Sequence, residues 1–132
     1  MKHHFKENET YLHNHSKELL AEWLRYYFLR VDIESKFFME GQIMFVPDIS
    51  CYDEDGVSTF FEVVYKNDVS QKKYDKIKYY CETHLINPTM YTISVNSIIK
   101  QVQPLNYIDI INHTIKEYKF NNYTTFKSFF RN

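Results

Sequence analysis

At 132 residues, the chain is long enough for one compact domain and too short for two full hydrophobic cores. Apolar residues make up 44% of the sequence and aromatic residues 18%, which excludes long disordered stretches. The formal net charge of −1 argues against a protein held on nucleic acid by overall charge, but it leaves room for a local basic groove. With only two glycines, the chain has no glycine-rich loop of the kind that binds phosphates or dinucleotides.

The sequence also indicates where the protein is located in the cell and in which state its two cysteines are. No apolar run approaches the roughly 18 residues that cross a membrane, and no apolar run follows the N-terminus as in a secretory signal. We therefore expect a cytoplasmic protein with no membrane partner. Cys51 and Cys81 form neither a CxxC motif nor a disulfide framework, so both are predicted to be buried free thiols. The histidines lack the spacing of zinc ligands.

The first half of the chain predicts one helix followed by three strands. An apolar stripe that includes Leu20, Leu24 and Phe28 predicts an amphipathic helix over residues 10–29. Runs of β-forming residues predict strands over residues 31–39, 42–51 and 57–66. The Asp55-Gly56 pair predicts a hairpin between the last two strands, so the three strands should form a meander.

The second half predicts helix, strand and helix. Ser70 is a candidate N-cap for a helix over residues 71–84, and residues 90–95 read as a short buried strand. Strand, helix and strand in that order indicate a right-handed crossover with parallel pairing. Residues 105–118 are predicted to form a last helix, followed by an aromatic and basic tail; the apolar stripe of that helix is Ile108, Ile111, Ile115 and Tyr118. The predicted fold class is α/β with a mixed sheet.

Three acidic side chains are predicted to meet on this sheet. A hairpin that turns at Asp55-Gly56 brings Asp48 opposite the neighbourhood of Glu62, and Glu34 lies on the polar side of the first strand. Converging carboxylates repel each other unless a cation or a shared proton offsets the cost. Mg²⁺ accepts one or two carboxylates and keeps several waters for a substrate phosphate. The pattern therefore predicts a metal centre at Glu34, Asp48 and Glu62.

Several motifs resemble those of one nuclease superfamily. They are His13-x-x-x-Lys17-x-x-Leu20 on the first helix, Glu34, Pro47-Asp48, Phe61-Glu62-Val63-Val64 and Ser70-Gln71-Lys72-Lys73 at the start of the second helix. On these residues the chain resembles the PD-(D/E)XK nuclease superfamily, and most closely its competence-protein (CoiA-like) branch. The resemblance covers about residues 10–99. It implies a single nuclease-like domain over residues 1–132, with a restriction-endonuclease-like three-layer core and residues 105–132 as a C-terminal helix and tail.

The resemblance also implies roles for individual residues. Asp48, Glu62 and Glu34 would hold Mg²⁺ or Mn²⁺ for hydrolysis of DNA phosphodiester bonds, with branched or single-stranded DNA among the substrates. The superfamily's lysine, two residues after the glutamate, is Val64 here. Lys66, further along the same strand face, or Lys73, on the stripe of its helix that faces the sheet, would stabilise the developing negative charge. His13 and Lys17 would contact the substrate phosphate.

Two other classes of function stay open. Val64 in place of the lysine, together with the lack of net positive charge, leaves a catalytically inactive nuclease-fold binding protein as the alternative, for example an inhibitor or accessory subunit encoded by a phage or mobile element. The aromatic tail leaves a structural or oligomerisation protein as a third possibility. Nucleases of this size often act as homodimers or with a partner protein, so either arrangement is expected.

Overall fold

The structure is a computed structural model that describes residues 2–66 and 68–120. A five-stranded mixed sheet with helices packed on both faces forms its centre, which confirms the predicted α/β class. No helix in the described ranges is both long enough and apolar enough to cross a membrane. The elements in chain order are α1 (Lys2–Leu24), β1 (Arg30–Ile33), β2 (Phe37–Met39), β3 (Gln42–Phe45), β4 (Ile49–Asp53), β5 (Gly56–Val64), α2 (Gln71–His84), β6 (Thr89–Ser94), α3 (Val95–Ile99), α4 (Tyr107–Asn112) and β7 (Thr114–Lys119).

The sheet has the strand order β1-β4-β5-β6-β7, and β2 and β3 form a separate hairpin. Strands β1, β4 and β5 pair antiparallel as a meander, and the turn at Asp55-Gly56 joins β4 to β5 as predicted. Strand β6 pairs parallel to β5 after the α2 crossover, so the predicted parallel pairing is also confirmed. The register places Ile49 opposite Phe61 and Glu62 beside Thr92.

Two predicted strands are each interrupted, and the prediction of continuous strands is wrong there. The backbone of Glu34 has a φ of 54°, in the left-handed region that non-glycine residues rarely adopt, so β1 ends at Ile33. Pro47 has no N–H to donate to a sheet, so β3 ends before it and β4 begins after Asp48. The residues between these breaks fold into the β2–β3 hairpin. Asp48 therefore lies just before β4 rather than inside a strand.

The predicted helix over residues 10–29 ends earlier than expected, at Leu24. The backbone N–H of Leu29 donates to the carbonyl oxygen of Tyr52 at 3.0 Å, so this backbone belongs to the start of the β1–β4 pairing. The helix over residues 71–84 is confirmed, with the Ser70 hydroxyl accepting from the backbone N–H of Lys73 at 3.2 Å.

The prediction of one helix over residues 105–118 is wrong. Helix α4 stops at Asn112, and Thr114–Lys119 forms strand β7 against β6. Two members of the proposed stripe, Ile108 and Ile115, are 72% and 60% exposed, and the other two, Ile111 and Tyr118, pack on opposite faces of the sheet, so the four do not form one apolar face. As a strand, the same backbone satisfies the hydrogen-bonding groups on the outer side of β6. The predicted tail beyond Phe120 lies outside the described residues.

Two clusters of buried side chains lie on opposite faces of the sheet. The first joins α1, α3 and α4 to the sheet through Leu20, Leu24, Phe61, Ile93 and Ile98. The second joins α2 and the β2–β3 hairpin to the sheet through Phe37, Phe45, Phe60, Ile77, Cys81 and Met90. Burying one such side chain contributes roughly 1.5–3 kcal/mol. The hairpin is anchored between helix and sheet, because the Phe45 ring lies 5.3 Å from that of Tyr80 and 5.7 Å from that of Phe60.

Both cysteines are buried free thiols, as predicted. Cys51 belongs to the first cluster and Cys81 to the second, so the sheet separates them. Burial raises the pKa of each thiol to about 12. Because the thiolate is the reactive form of cysteine, neither residue is suited to act as a nucleophile.

Candidate active site

The side chains of Asp48 and Glu62 converge where β4 begins beside β5. Each carboxylate accepts a hydrogen bond from the other residue's stretch of backbone. The N–H of Asp48 donates to Glu62 Oε2 at 2.7 Å, and the N–H of Val63 donates to Asp48 Oδ2 at 2.8 Å. This crossed pair continues the β4–β5 pairing one step beyond its last backbone pair, Ile49 and Phe61. The two carboxylates that the sequence predicted to approach each other do so.

Lys73 brings a positive charge to this pair from the first turn of α2. Its Nζ forms an ion pair with Glu62 Oε1 and donates to the carbonyl oxygen of Val46 at 3.0 Å. The expectation that the Lys73 amine reaches the acidic end of the sheet therefore agrees with the structure. Val46 lies in the loop between the hairpin and Asp48, so the same ammonium group links three segments of the chain.

Glu62 has an unusual protonation equilibrium. Burial, with 5% of the residue exposed, and the neighbouring Asp48 carboxylate raise its pKa from 4.5 to about 7, although the Lys73 ammonium acts in the opposite direction. A carboxyl group that titrates near neutral pH can exchange protons under physiological conditions. Such perturbed groups cluster at functional sites, although structural ion pairs also produce them.

Glu34 and Lys17 form the second ion pair of the site. Lys17, on α1, is 5% exposed; its Nζ contacts Glu34 Oε1 and lies 3.7 Å from Asp48 Oδ1. The backbone N–H of Glu34 donates to the carbonyl oxygen of Asp48 at 2.9 Å. This hydrogen bond holds Glu34, whose backbone is in the left-handed region, next to the start of β4. The hydrogen bond from Lys17 lowers the pKa of Glu34, so this carboxylate stays ionised near neutral pH.

His13 lies one helical turn before Lys17 and also reaches the site. Its Nε2 is 2.6 Å from the carbonyl oxygen of Val63 and 3.7 Å from Asp48 Oδ2. A carbonyl oxygen can only accept, so Nε2 carries the proton in this contact. The motif His13-x-x-x-Lys17 thus places both side chains on the face of α1 that meets Asp48.

Lys66, another candidate for stabilising charge on the substrate, is not brought to the site. Strand β5 ends at Val64, and Lys66 is an exposed residue in the bend that follows. Within the described ranges it forms no ion pair with the acidic residues. The prediction that Lys66 continues the face of Glu62 is wrong, because the alternation of strand faces stops two residues earlier.

The described residues include no group of three or more His, Cys, Asp or Glu side chains placed so that they could hold a metal ion together. The cations nearest the carboxylates are the ammonium groups of Lys17 and Lys73. A Mg²⁺ site that uses only two protein carboxylates does not require such a group. Glu34, Asp48 and Glu62 therefore do not form the predicted three-carboxylate centre, because Glu34 pairs with Lys17 instead, and binding of a metal ion by Asp48 and Glu62 stays a prediction.

Two buried hydroxyl groups near Glu62 were not singled out in the sequence. Thr92 pairs in register with Glu62 and lies on the same face of the sheet, and Ser50 lies on that face in β4. Both side chains are fully buried, and neither hydroxyl has a hydrogen-bond partner in the part of the chain that the structure describes. The sequence signal that could have identified Ser50 and Thr92 is a hydroxyl side chain within a largely apolar strand. Unpartnered buried hydroxyls are uncommon, because burial without a hydrogen bond is costly.

Comparisons with protein-family models, with curated proteins and with solved structures find no match for this chain. The likeness to PD-(D/E)XK nucleases therefore depends on the motifs and their geometry alone. The geometry is informative in its own right, because it gathers six charged or polar side chains from five parts of the sequence at one end of the sheet. They are His13, Lys17, Glu34, Asp48, Glu62 and Lys73.

Proposed function

We propose that the protein is a metal-dependent nuclease that hydrolyses DNA phosphodiester bonds. The observation that carries the proposal is the crossed pair of Asp48 and Glu62 at the end of the sheet, with Lys17, Lys73 and His13 around it. Two nearby carboxylates are a poor arrangement for stability unless a cation joins them. Basic side chains beside them suit a reaction in which a phosphate must be held and its growing negative charge offset.

The donor atoms fit a hard divalent cation. Asp48 and Glu62 each use one carboxylate oxygen for a backbone N–H and keep Oδ1 and Oε1 for cations. Oxygen atoms of these kinds are the ligands that Mg²⁺ prefers. Mg²⁺ or Mn²⁺ bound there would lower the pKa of a water molecule and clamp the scissile phosphate.

The remaining residues of the site have roles that follow from their positions. The superfamily's lysine, two residues after the glutamate, is Val64 in this chain. The ammonium group of Lys73, which contacts Glu62, would stabilise negative charge on the phosphate in its place. Lys17 would hold a phosphate oxygen while Glu34 keeps the lysine side chain in place. His13 would contact the substrate phosphate by turning its Nε2 from the Val63 carbonyl oxygen, which it contacts at 2.6 Å. Glu62, with its pKa near 7, is expected to require deprotonation before it can bind a cation.

The test is cleavage of single-stranded, duplex and branched DNA by the purified protein with Mg²⁺ or Mn²⁺. Asp48→Asn and Glu62→Gln are the informative variants, because each keeps an oxygen to accept the backbone hydrogen bond while losing the charge. The exposed Glu82→Gln is the control for loss of a carboxylate elsewhere. We expect both site variants to lose cleavage and the control to keep it. Cleavage that survives in Asp48→Asn and Glu62→Gln would refute this site.

A second candidate function is an inactive nuclease-fold binding protein, such as an inhibitor or accessory subunit encoded by a phage or mobile element. Two observations favour it: Val64 occupies the lysine position, and Lys17 and Lys73 already neutralise the carboxylates. Calorimetric titration with Mn²⁺ separates the candidates. A working nuclease should bind the ion in a manner that Asp48→Asn weakens, whereas an inactive protein should bind it equally poorly with and without the substitution.

A further inference from the structure

A cleft of about 180 Å³ opens between α2 and the end of the β2–β3 hairpin, next to the candidate active site. One wall is the first turns of α2, with Ser70, Lys72, Lys73 and Lys76, and the other is the end of the hairpin, with Met44 and Val46. Lys73 belongs to both the cleft and the site, because its Nζ contacts Glu62 and the Val46 carbonyl oxygen. The cleft is therefore an extension of the candidate active site.

The charges along this cleft are all positive. Among the described residues that line it, none is acidic. Lys72 and Lys76 are exposed and form no ion pair within the described part of the chain, whereas Lys78 on the same helix pairs with Glu82 at 3.6 Å. The acidic neighbour in sequence, Asp75, accepts a hydrogen bond from the Gln71 side chain at 2.8 Å instead. Two uncompensated ammonium groups thus face a cleft that leads to the site.

Helix geometry sets the spacing of these groups. Lys72 and Lys76 are four residues apart, about 6 Å along the helix axis. Successive phosphates of one stacked DNA strand advance by about 3.4 Å per nucleotide, so two steps cover a similar length. Tyr79, one turn further along α2, is 60% exposed and borders a depression that Ile43 and Met44 line together with the exposed Glu40. Exposed aromatic rings next to a basic groove are a platform on which bases stack.

We propose that this cleft binds the sugar–phosphate backbone of a single nucleic-acid strand that leads away from the active site. Lys72 and Lys76 contact phosphates two nucleotides apart, and Tyr79 offers its ring to a base. The inference depends on the proposed function, because it extends the substrate path of the same site. It also explains how a chain with a net charge of −1 can hold a polyanion, since the positive charge is concentrated where the strand lies.

The test is equilibrium binding of a fluorescein-labelled single-stranded oligodeoxynucleotide, measured by anisotropy in EDTA at several salt concentrations. The informative variant is Lys72→Gln with Lys76→Gln. The matched control, Lys78→Gln with Lys100→Gln, removes the same charge from a position on α2 outside the cleft and from the end of α3 on the opposite face of the sheet. For two lost phosphate contacts, the slope of log K against log salt should fall by about 1.4 in magnitude. The control should keep the wild-type slope.

The outcomes separate this inference from the proposed function. Equal slopes and affinities for the two double variants would overturn the cleft assignment, whatever the protein cleaves. Displacement of the oligonucleotide by polyglutamate at equal charge concentration would also overturn it, because the cleft would then bind any polyanion. Salt-dependent binding that needs Lys72 and Lys76, without any cleavage when Mg²⁺ or Mn²⁺ is added, supports the cleft and refutes the nuclease.

Discussion

The raised pKa of Glu62 makes a quantitative prediction about stability. In the folded protein the pKa is about 7, against 4.5 for an ordinary glutamate. The folded state therefore binds this proton more tightly than the unfolded chain, so the contribution to stability is complete below pH 4.5 and is lost as the pH rises through 7. At roughly 1.4 kcal/mol for each pH unit, the difference amounts to about 3 kcal/mol.

The measurement is urea denaturation of the wild type and of Glu62→Gln in EDTA, from about pH 4 to pH 8. Glutamine keeps an oxygen to accept from the Asp48 N–H and cannot ionise, so the difference between the two proteins reports the titration of Glu62 together with its effect on the neighbouring Asp48 carboxylate. We expect the stability of the wild type relative to Glu62→Gln to fall by about 3 kcal/mol over this range. Glu82→Gln, an exposed carboxylate on α2, should follow the wild type.

Two results would refute this reasoning. A difference between wild type and Glu62→Gln that is constant with pH would mean that Glu62 titrates normally in the folded protein. A difference that grows in favour of the wild type at high pH would mean that Lys73 outweighs the burial of the carboxylate. Repeating the series with Mg²⁺ adds a link to the proposed nuclease, because a cation that binds the ionised carboxylate should reduce the decline.

Three further predictions concern the ion pair on α1, the cysteines and the end of α2. Glu34→Gln should destabilise the fold by about 1–3 kcal/mol, because it leaves the buried Lys17 ammonium group without its closest carboxylate. Lys17→Met should cost less, because the Glu34 carboxylate that it leaves unpaired is 55% exposed. Urea denaturation of the two variants compares them, and a larger loss of stability in Lys17→Met would contradict this reasoning. Cys51 and Cys81 should react with a thiol reagent only at the rate of unfolding, so rapid native labelling would contradict their burial. Leu85→Gly should stabilise the protein by about 1 kcal/mol in thermal denaturation, because this exposed residue has a φ of 54°, and an unchanged or lower Tm would be contrary to expectation.

The meeting of Asp48 and Glu62 was within reach of the sequence. The Asp55-Gly56 turn lies midway between them and brings the two segments together, although a bulge between Cys51 and Tyr52 shifts the register by one residue and so brings Asp48 level with Glu62. Lys73 was also accessible, because helical spacing places it on the side of α2 that carries Ile77 and Cys81. In each case the signal was local, and the elements involved are neighbours in sequence.

Other features depended on contacts that the local sequence does not encode. In residues 114–119 the apolar side chains Ile115 and Tyr118 are three residues apart, a spacing that fits a helix, and only the pairing with β6, which begins at Thr89, makes this segment a strand. The break at Glu34 follows from its bond to the Asp48 carbonyl oxygen and from the position of Lys17 on a helix far away in sequence. Such tertiary contacts override the alternation that favoured one continuous strand.

The crossed hydrogen bonds between Asp48 and Glu62 also give the site its own spectroscopic reporters. Because the amide protons of Asp48 and Val63 each point at a carboxylate oxygen, their chemical shifts should change when those carboxylates gain a proton, a metal ion or a neighbouring phosphate. Slow amide exchange at these two positions would indicate that the end of the sheet stays closed. Two backbone signals can therefore follow occupancy of the centre without a label and without turnover.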